Sequence, residues 1–323
     1  MMPKIKIGIV GTGRMGSLHL SKFQEMPEVE LVGVFEPHLD RAKEIEAKNK
    51  VKAISSLSEL IFLADALIIA SPTPTHFSIA KMAMEFGCHV LIEKPFCETH
   101  EEAILLEHLA LKNRLVCQVG FLERFRLEAL LGGNPLPIDS TLDSLRLSTV
   151  VGREVAVDVI SDLMIHDIDL ILSLIQEDPI AVQAEGFSIV TDYLDFVKAR
   201  LEFSSGRSAT LTASRVASKL VRTLQAVSGN YFCELDFVSN SKFIASKSGN
   251  HNSSIHGLAF DALQAQSSHF IAAIQGRAFS KVTAKDSVRV ISVVNKIKEA
   301  TTGSPVLFSP HKSLQSSRTV REN

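Results

Sequence analysis

The sequence predicts two domains, an α/β domain with a parallel sheet followed by an α+β domain with a mostly antiparallel sheet. The 323 residues exceed what one ordinary core holds. Up to about residue 120, short apolar runs alternate with longer helical ones, whereas strand-like runs follow one another over residues 196–246. We place the domains at residues 1–122 and 123–309, and interpret polar residues 310–323 as a disordered tail.

The first domain is predicted from short apolar runs separated by helical segments. The predicted strands cover residues 5–10, 30–35, 66–70, 89–92 and 115–120. The predicted helices cover residues 14–26, 38–48, 75–86 and 100–112. Strands that are apolar throughout and separated by helices indicate βαβ units, and therefore a parallel sheet covered on both faces.

The second domain is predicted from alternating strands. In residues 196–203, Val197, Ala199 and Leu201 face one side, while Lys198 and Arg200 face the other. This period of two is typical of a sheet with one solvated face. Further strands are predicted over residues 207–213, 220–227, 231–238 and 242–246, with helices over 160–175, 258–275 and 285–300. Short turns between consecutive strands favour antiparallel pairing.

Composition excludes several classes of protein. The 34 basic and 36 acidic side chains give a formal net charge of −2, so neither nucleic acid nor a membrane surface is an expected partner. We expect neither a transmembrane segment nor a signal peptide. Cys88, Cys97, Cys117 and Cys233 lack metal-ligand spacing, so no metal site is expected. Reduced thiols and the cytoplasm are the favoured interpretation.

A glycine-rich hexad lies where the first predicted strand meets the first predicted helix. Gly11 allows the tight turn, Gly13 lets the backbone approach a pyrophosphate, and Gly16 lets helix pack against strand. The diphosphate would sit at the helix N-terminus, where free N–H groups and the helix dipole favour negative charge. The pattern predicts a Rossmann domain that binds a dinucleotide, although a glycine turn without a ligand remains the alternative.

An acidic residue at the end of the second predicted strand bears on cofactor choice. Glu36 follows Gly16 by twenty residues, where a carboxylate accepts hydrogen bonds from the adenosine ribose and repels a 2′-phosphate. This favours NAD, although Arg41 weakens the preference and NADP stays open. Residues 71–76 follow the third strand at the same sheet edge; His76 alone is more often structural. The predicted cofactor contacts are Gly11, Thr12, Gly13, Arg14, Met15, Glu36, Arg41, Ser71, Thr73, His76 and Glu93.

Charged residues also follow the fourth predicted strand. Glu93 and Lys94 come directly after it, at the edge beside the nicotinamide half of the site. Pro95 directs Lys94 away from the helical conformation, and the sequence leaves open whether their peptide bond is cis. A lysine there can stabilise a developing alkoxide or transfer a proton. A solvated charge pair is the alternative.

An apolar helical stretch carries acids and a histidine. Asp162 and His166 are four residues apart and are expected to share a helix face, with Asp169 nearby. A carboxylate beside an imidazole stabilises its charged form and selects its tautomer. This arrangement suits a histidine that takes a proton from an alcohol while hydride leaves the same carbon. A buried structural pair is the alternative.

Taken together, these motifs resemble the Gfo/Idh/MocA family of oxidoreductases. The resemblance covers residues 5 to about 300 and rests on five motifs. These are Gly11 to Gly16, Glu36-Pro37, Ser71 to His76, Glu93-Lys94-Pro95, and the Asp162–His166 pair. It implies a dehydrogenase that oxidises a ring hydroxyl of a sugar-like substrate to a ketone with NAD(P).

The resemblance also implies roles for individual residues. Glu93 would contact the nicotinamide ribose, and Lys94 would bridge cofactor and substrate. His166 would be the proton acceptor, and Asp162 would orient it or the substrate hydroxyl. Arg124, in a segment that looks like one entering the family's active site, and Arg153 are candidate substrate contacts, although surface ion pairing explains either equally well.

Substrate and assembly are also implied by the resemblance. The run from Asp162 to Asp169 is similar to that of family members acting on nucleotide sugars, UDP-N-acetylglucosamine oxidised at C3 first among them. A free inositol, aldose or dihydrodiol is the alternative substrate, and a non-catalytic dinucleotide-binding sensor is the alternative class. Family members commonly oligomerise through the exposed face of the C-terminal sheet, so a homo-oligomer is expected.

Overall fold

The first half of the chain folds into a parallel sheet. The structure, a computed structural model, describes residues 3–149, 157–247, 249–254 and 260–302. The strands are β1 (Ile5–Val10), β2 (Val29–Phe35), β3 (Ala66–Ile69), β4 (His89–Ile92) and β5 (Cys117–Val119). They pair in parallel in the order β2-β1-β3-β4-β5, which confirms the predicted parallel sheet. The predicted arginine contact Arg153 lies outside the described residues, as does the tail at 310–323.

Helices connect these strands. They are α1 (Arg14–Gln24), α2 (Leu39–Asn49), α3 (Leu57–Leu63), α4 (His76–Glu85) and α5 (His100–Asn113). The sequence did not predict α3, whose seven residues bury only Leu60 and Ile61. Its start is nevertheless stabilised by Ser56, whose side chain accepts a hydrogen bond from the main-chain N–H of Glu59.

The second half forms an eight-stranded sheet. Its strands are β6 (Thr141–Leu147), β7 (Ala181–Phe187), β8 (Phe196–Glu202), β9 (Ser208–Ser214), β10 (Val221–Ser228), β11 (Tyr231–Asp236), β12 (Ser241–Ser246) and β13 (Gly249–Ser254). Their order is β13-β12-β11-β10-β6-β9-β8-β7, and every pair is antiparallel except β6 with β9. The mostly antiparallel prediction is confirmed, but β6, β7 and β13 were not predicted.

Helices cover one face of this second sheet and join it to the first domain. They are α6 (Glu123–Leu131), α7 (Ile165–Ile175), α8 (Ala262–Ile274) and α9 (Ala284–Thr301), with a π-helical turn over Ile160–Met164 before α7. In the first domain, α8 packs on α1 and α9 packs on α5. The main-chain N–H of Val119 donates to the carbonyl oxygen of Val282 at 3.1 Å. Helices from the second half thus pack against the first domain and join it to the second sheet. The predicted domain boundary at residue 122 stays a proposal.

Burial follows the predicted faces. Ile7, Ile9 and Leu67 of the first sheet are fully buried, as strands covered on both sides require. In β8 the apolar residues are buried while Lys198 and Arg200 are exposed, because helices cover only the inner face of that sheet. The outer face of β8 is exposed within the part of the chain that the structure describes.

All four cysteines are buried and unpaired. Burial raises the pKa of the Cys88 thiol to about 11 and that of Cys97 to about 12, so both stay protonated at neutral pH. Among the helices of the described residues, none combines the length and apolar composition needed to cross a bilayer.

Candidate active site

The glycine turn has the geometry that its sequence predicts. Gly11 has a φ of +84°, and a Cβ there would lie 2.8 Å from the carbonyl oxygen of Ala70. A Cβ on Gly16 would lie 1.9 Å from the carbonyl oxygen of Gly11, so only glycine allows α1 to approach the turn this closely. Gly13 faces open space, with nothing within 4 Å of its would-be Cβ. The opening at Gly13 is the place where the turn can receive a ligand.

The start of α1 suits an anion. Gly13 is the N-cap residue and has no side chain to accept from the first N–H groups, and the first turn contains no acidic residue. These N–H groups and the positive end of the helix dipole therefore point at the open space beside Gly13. The residues fit the pyrophosphate of a dinucleotide.

Glu36 closes the adenosine side of this site. Its Oε2 accepts hydrogen bonds from the main-chain N–H and the hydroxyl of Thr12, at 3.0 and 2.8 Å. Burial raises the pKa of Glu36. The opposing effects are larger and lower the pKa: they are the hydrogen bonds from Thr12, a hydrogen bond from the main-chain N–H of His38, and the positive charge of Arg41. The carboxylate is thus ionised where a 2′-phosphate would lie, which fits NAD better than NADP. Arg41 lies 3.6 Å away and half exposed.

His76 joins two loops at the carboxyl edge of the sheet. Its Nδ1 lies 2.8 Å from the carbonyl oxygen of Pro95, and its Nε2 lies 2.8 Å from that of Ser71. The side chain is buried, and its two ring nitrogens are occupied within the protein. The structure thus places His76 between the loops that contain Ser71 and Pro95, and its predicted contact with the cofactor stays a prediction. Thr73, in the turn between Ser71 and His76, is only partly buried and lies nearer the surface.

Glu93 is held by a histidine that the sequence analysis missed. His19 of α1 is fully buried, and its Nε2 lies 2.8 Å from Oε1 of Glu93. A Cβ on Gly120 would lie 2.9 Å from the other carboxylate oxygen, so Gly120 makes room for Glu93. His19 occupies the buried face of α1 with Leu20 and Phe23, and a histidine at an apolar position needs a polar partner.

Lys94 reaches from the first domain to the second. The Lys94–Pro95 peptide bond is cis. Its Nζ donates to the main-chain carbonyl oxygen of Asp162 at 3.0 Å and lies 3.5 Å from the Asp162 carboxylate. The side chain of Asp162 is 51% exposed and that of Lys94 is 23% exposed, so a substrate can reach both where the two domains meet.

His166 faces a different carboxylate from the predicted one. Its Nδ1 lies 3.5 Å from Oε2 of Glu123, and the Phe121 ring packs edge-on against it at 6.1 Å. Asp162 lies in the π-helical turn, whose extra residue per turn displaces the i,i+4 alignment of a regular α-helix. Asp162 therefore pairs with Lys94, and Glu123 of α6 takes the place expected for Asp162.

Burial sets the charge of His166. Burial lowers its pKa to about 3, the cations Lys94, Arg146 and Arg222 act in the same direction, and Glu123 opposes them. The imidazole is therefore neutral at pH 7 and can accept a proton. Lys94 lowers this pKa by charge repulsion, so the ammonium and the imidazole act in one electrostatic environment.

Glu123 belongs to a buried ion-pair network. Arg146 of β6 donates two hydrogen bonds to Asp167, at 2.8 and 2.9 Å, and a third to Glu123 at 3.2 Å. Burial raises the pKa of Glu123, but His166 and Arg146 outweigh it and lower the pKa to about 2. Since His166 is neutral at pH 7, cations keep Glu123 ionised there, and Arg146, at 3.2 Å, has the largest effect among them. Neither Glu123 nor Arg146 was predicted from the sequence as a site residue.

Arg124 pairs with carboxylates inside the protein. It donates to both oxygens of Asp169, at 2.7 and 2.8 Å, and lies 3.8 Å from Asp286. Only 11% of its side chain is exposed. Arg124, a predicted substrate contact, and Asp169, predicted to lie near His166, thus form an ion pair between α6 and α7.

Comparison with known proteins identifies the class of protein. Residues 5–121 match the sequence model of the oxidoreductase family with an NAD-binding Rossmann fold, and residues 150–227 match the GFO/IDH/MocA C-terminal domain. The UDP-N-acetylglucosamine 3-dehydrogenase of Acidithiobacillus ferrooxidans is 35% identical over 248 residues, 75% of this chain and 77% of that protein. The scyllo-inositol 2-dehydrogenase (NAD(+)) of Bacillus subtilis is 24% identical, over 67% of this chain and 69% of that protein.

Solved structures share the fold. That of the Acidithiobacillus ferrooxidans enzyme superimposes with a TM-score of 0.85 at 32% identity, covering 93% of this chain and 98% of that one. A scyllo-inositol dehydrogenase from Lactobacillus casei with bound NAD(H) and scyllo-inositol has a TM-score of 0.77 at 20% identity, covering 93% and 97%. The fold and site therefore define an NAD-binding oxidoreductase that acts on CH–OH donors. The chain belongs to the Gfo/Idh/MocA family.

Proposed function

We propose that this protein oxidises a ring hydroxyl of a sugar-like substrate to a ketone in the cleft bordered by Lys94 and His166. The observation that carries this is the meeting of Lys94 from one domain with Asp162 from the other, beside a neutral imidazole. NAD, when bound, accepts the hydride that leaves the carbinol carbon. The protein's own task is to remove the hydroxyl proton and stabilise the charge that develops on oxygen.

His166 is the proposed proton acceptor. The ionised Glu123 lies beside Nδ1, so it favours the tautomer that carries the proton on Nδ1. Nε2 then presents its lone pair and can take the hydroxyl proton as the C–O bond becomes a carbonyl. In the reverse direction the same nitrogen returns that proton.

Lys94 is the proposed electrostatic catalyst. An ammonium group near the reacting oxygen stabilises negative charge on it in the transition state. Asp162 keeps Lys94 in place through its main-chain oxygen and its carboxylate. His76 supports the same loop from behind through the carbonyl oxygen of Pro95. Glu93, fixed by His19, is the proposed contact of the nicotinamide ribose.

The proposed substrate is UDP-N-acetylglucosamine, oxidised at C3. This is supported by the 35% identity to a UDP-N-acetylglucosamine 3-dehydrogenase over three quarters of the chain. The similarity to an inositol dehydrogenase at 24% identity makes a free inositol the second candidate. The meeting of Lys94, Asp162 and a neutral His166 at one place favours an enzyme over a non-catalytic sensor.

The proposed assembly is a homo-oligomer formed through the outer face of the eight-stranded sheet. Exposed apolar residues lie there, among them Phe187 at 54% and Val227 at 48% exposure. A broad sheet face with apolar residues is a surface that a second copy can cover. We also propose the cytoplasm as its location, supported by four buried and unpaired thiols.

A substrate panel tests the proposal. NADH formation is followed with UDP-N-acetylglucosamine, UDP-glucose, myo-inositol and glucose, each with NAD and with NADP. The expected result is the fastest turnover with UDP-N-acetylglucosamine and NAD, and a product with a carbonyl at C3. Turnover with myo-inositol alone would show that a free inositol, and not UDP-N-acetylglucosamine, is the substrate. Absence of NADH formation with every hydroxyl donor would contradict the proposal.

A further inference from the structure

Two arginines near Glu123 have no Asp or Glu oxygen within 4.0 Å in the part of the chain that the structure describes. Several arginines there are buried or partly buried: Arg124, Arg126, Arg146, Arg207, Arg215, Arg222 and Arg289. Five of them lie within 4.0 Å of an Asp or Glu oxygen. Arg126 and Arg222 are the two that do not. Partly buried cations without counter-ions are costly, so this pair calls for a ligand.

Both arginines lie on or beside elements that carry Glu123 or its partner Arg146. Arg222 on β10 is paired in register with Arg146 on β6, and directly opposed residues of antiparallel strands lie on the same face of a sheet. That is the inner face, on which Leu224 and Ala226 are buried. Arg126 follows Glu123 by three residues in α6 and therefore lies on a neighbouring face of that helix.

Their charges act on the catalytic groups. Both Arg126 and Arg222 help to lower the pKa of Glu123, and Arg222 also helps to lower the pKa of His166. Burial first, and then repulsion by Arg146 and Arg126, lowers the pKa of Arg222, while the nearby carboxylates of Glu123 and Asp167 oppose this shift. Arg222 is thus a partly desolvated cation whose nearest carboxylates already pair with Arg146, and a bound anion would offset the repulsion among the three arginines.

We propose that Arg126 and Arg222 form a subsite for the phosphate group of a phosphorylated sugar substrate, placing its ring hydroxyl at His166. This rests on the proposed function and specifies the substrate class of that same cleft. A guanidinium binds phosphate oxygens with two parallel hydrogen bonds, and two guanidinium groups suit a diphosphate. Arg124 and Arg153 are the substrate contacts that the resemblance implies. Arg124 is paired with Asp169 and Arg153 lies outside the described residues, so Arg126 and Arg222 are the described arginines near Glu123 that remain for a substrate anion.

Binding measurements test the subsite without turnover. The probes are UDP, uridine and glucose 6-phosphate, titrated into the NAD-bound protein by calorimetry. The variants are Arg126→Gln and Arg222→Gln, with Lys112→Gln on the exposed surface of α5 as the matched control. UDP and glucose 6-phosphate separate a nucleotide diphosphate from a hexose phosphate as the source of the anion. Uridine reports the part of UDP binding that involves no phosphate.

The expected result is that at least one phosphate compound binds the wild type. Each Gln variant should weaken this binding by about tenfold to a hundredfold, as loss of a charge-assisted hydrogen bond does. Lys112→Gln should leave it unchanged, and NADH affinity should be unchanged throughout. Equal affinity in wild type and both Gln variants would overturn the subsite, as would a wild type that binds neither phosphate compound.

A measurement on the wild type alone covers the case in which a variant fails to fold. Binding to two guanidinium groups should weaken steeply as salt concentration rises, whereas salt-independent binding would overturn the subsite. The proposed oxidation can fail separately. A protein that binds UDP through these arginines but forms no NADH would contradict the proposed oxidation and support the subsite. An active enzyme whose substrate binding does not depend on these arginines would support the oxidation and contradict the subsite.

Discussion

Oε2 of Glu123 lies 3.5 Å from Nδ1 of His166, on a ring that burial keeps neutral. The other carboxylate oxygen is held by Arg146, which is itself fixed by Asp167. Glu123 thus acts on the reaction through His166, as a positioning residue that selects the tautomer and raises the basicity of the imidazole.

Glu123→Gln should lower kcat by about tenfold to a hundredfold, because the neutral amide no longer favours the proton on Nδ1. Glu123 raises the pKa of His166, so its loss should also move the acidic limb of the kcat profile to lower pH. Steady-state kinetics across pH check both effects. Glu123→Asp should restore part of kcat. A variant with lower kcat but an unmoved pH profile would indicate a purely structural role.

His166 should make stability depend on pH. Its folded pKa of about 3 lies below its ordinary value of 6.5, so the unfolded chain binds its proton more readily. The stability from the neutral ring is present above pH 6.5 and is lost as the pH falls toward about 3. The free energy of unfolding, measured in urea, should be higher for wild type than for His166→Gln at pH 7. This difference should decrease between pH 7 and pH 4. A difference that is constant with pH would contradict this burial.

Two glycines of the first turn should respond differently to alanine. Gly13→Ala adds a methyl group that meets open space, so unfolding should occur near the wild-type Tm. NADH binding should weaken by about tenfold or more, since the methyl group keeps the pyrophosphate from the N–H groups of α1. Gly16→Ala places its methyl group against the carbonyl oxygen of Gly11 and should lower Tm. Thermal melts and NADH titrations distinguish the two, and normal NADH affinity in Gly13→Ala would place the cofactor elsewhere.

Glu36 should decide between the two nicotinamide cofactors. Glu36→Ser removes the ionised carboxylate that repels a 2′-phosphate, so the ratio of kcat/KM for NADP to that for NAD should rise by about tenfold or more. Arg41 lies close enough to contact that phosphate. The double variant Glu36→Ser with Arg41→Ala should therefore lose most of the gain. An unchanged ratio in Glu36→Ser would show that Glu36 does not contact the adenosine ribose.

Much of the first domain could be predicted because its strands are buried on both sides. Continuous apolar runs mark β1 and β4, and a glycine pattern at a strand end has few structural meanings. The strand β6 was missed because Asp143, Ser144 and Arg146 make it look polar. Ser144 and Arg146 are in fact buried, and Arg146 is compensated by acids from α6 and α7 that only the tertiary structure brings near.

The candidate site could be predicted only where a residue directly follows a buried strand. Lys94 follows a buried strand, so its place at the sheet edge could be read from the sequence. The partner of His166 depended on whether residues 160–164 form an α-helical or a π-helical turn, and no local pattern distinguished them. Glu123 lies 43 residues before His166 in a helix of weak apolar periodicity, so nothing in the sequence joined the two.

The most direct test of the account is turnover by Lys94→Ala with cofactor binding measured in the same sample. The side chain lies between the domains and holds Asp162, and its charge should stabilise the developing alkoxide. We predict that NADH affinity is retained while kcat with the best substrate of the panel falls by about a hundredfold to ten-thousandfold. Near-normal kcat in a variant that still binds NADH would contradict the proposed chemistry of the cleft.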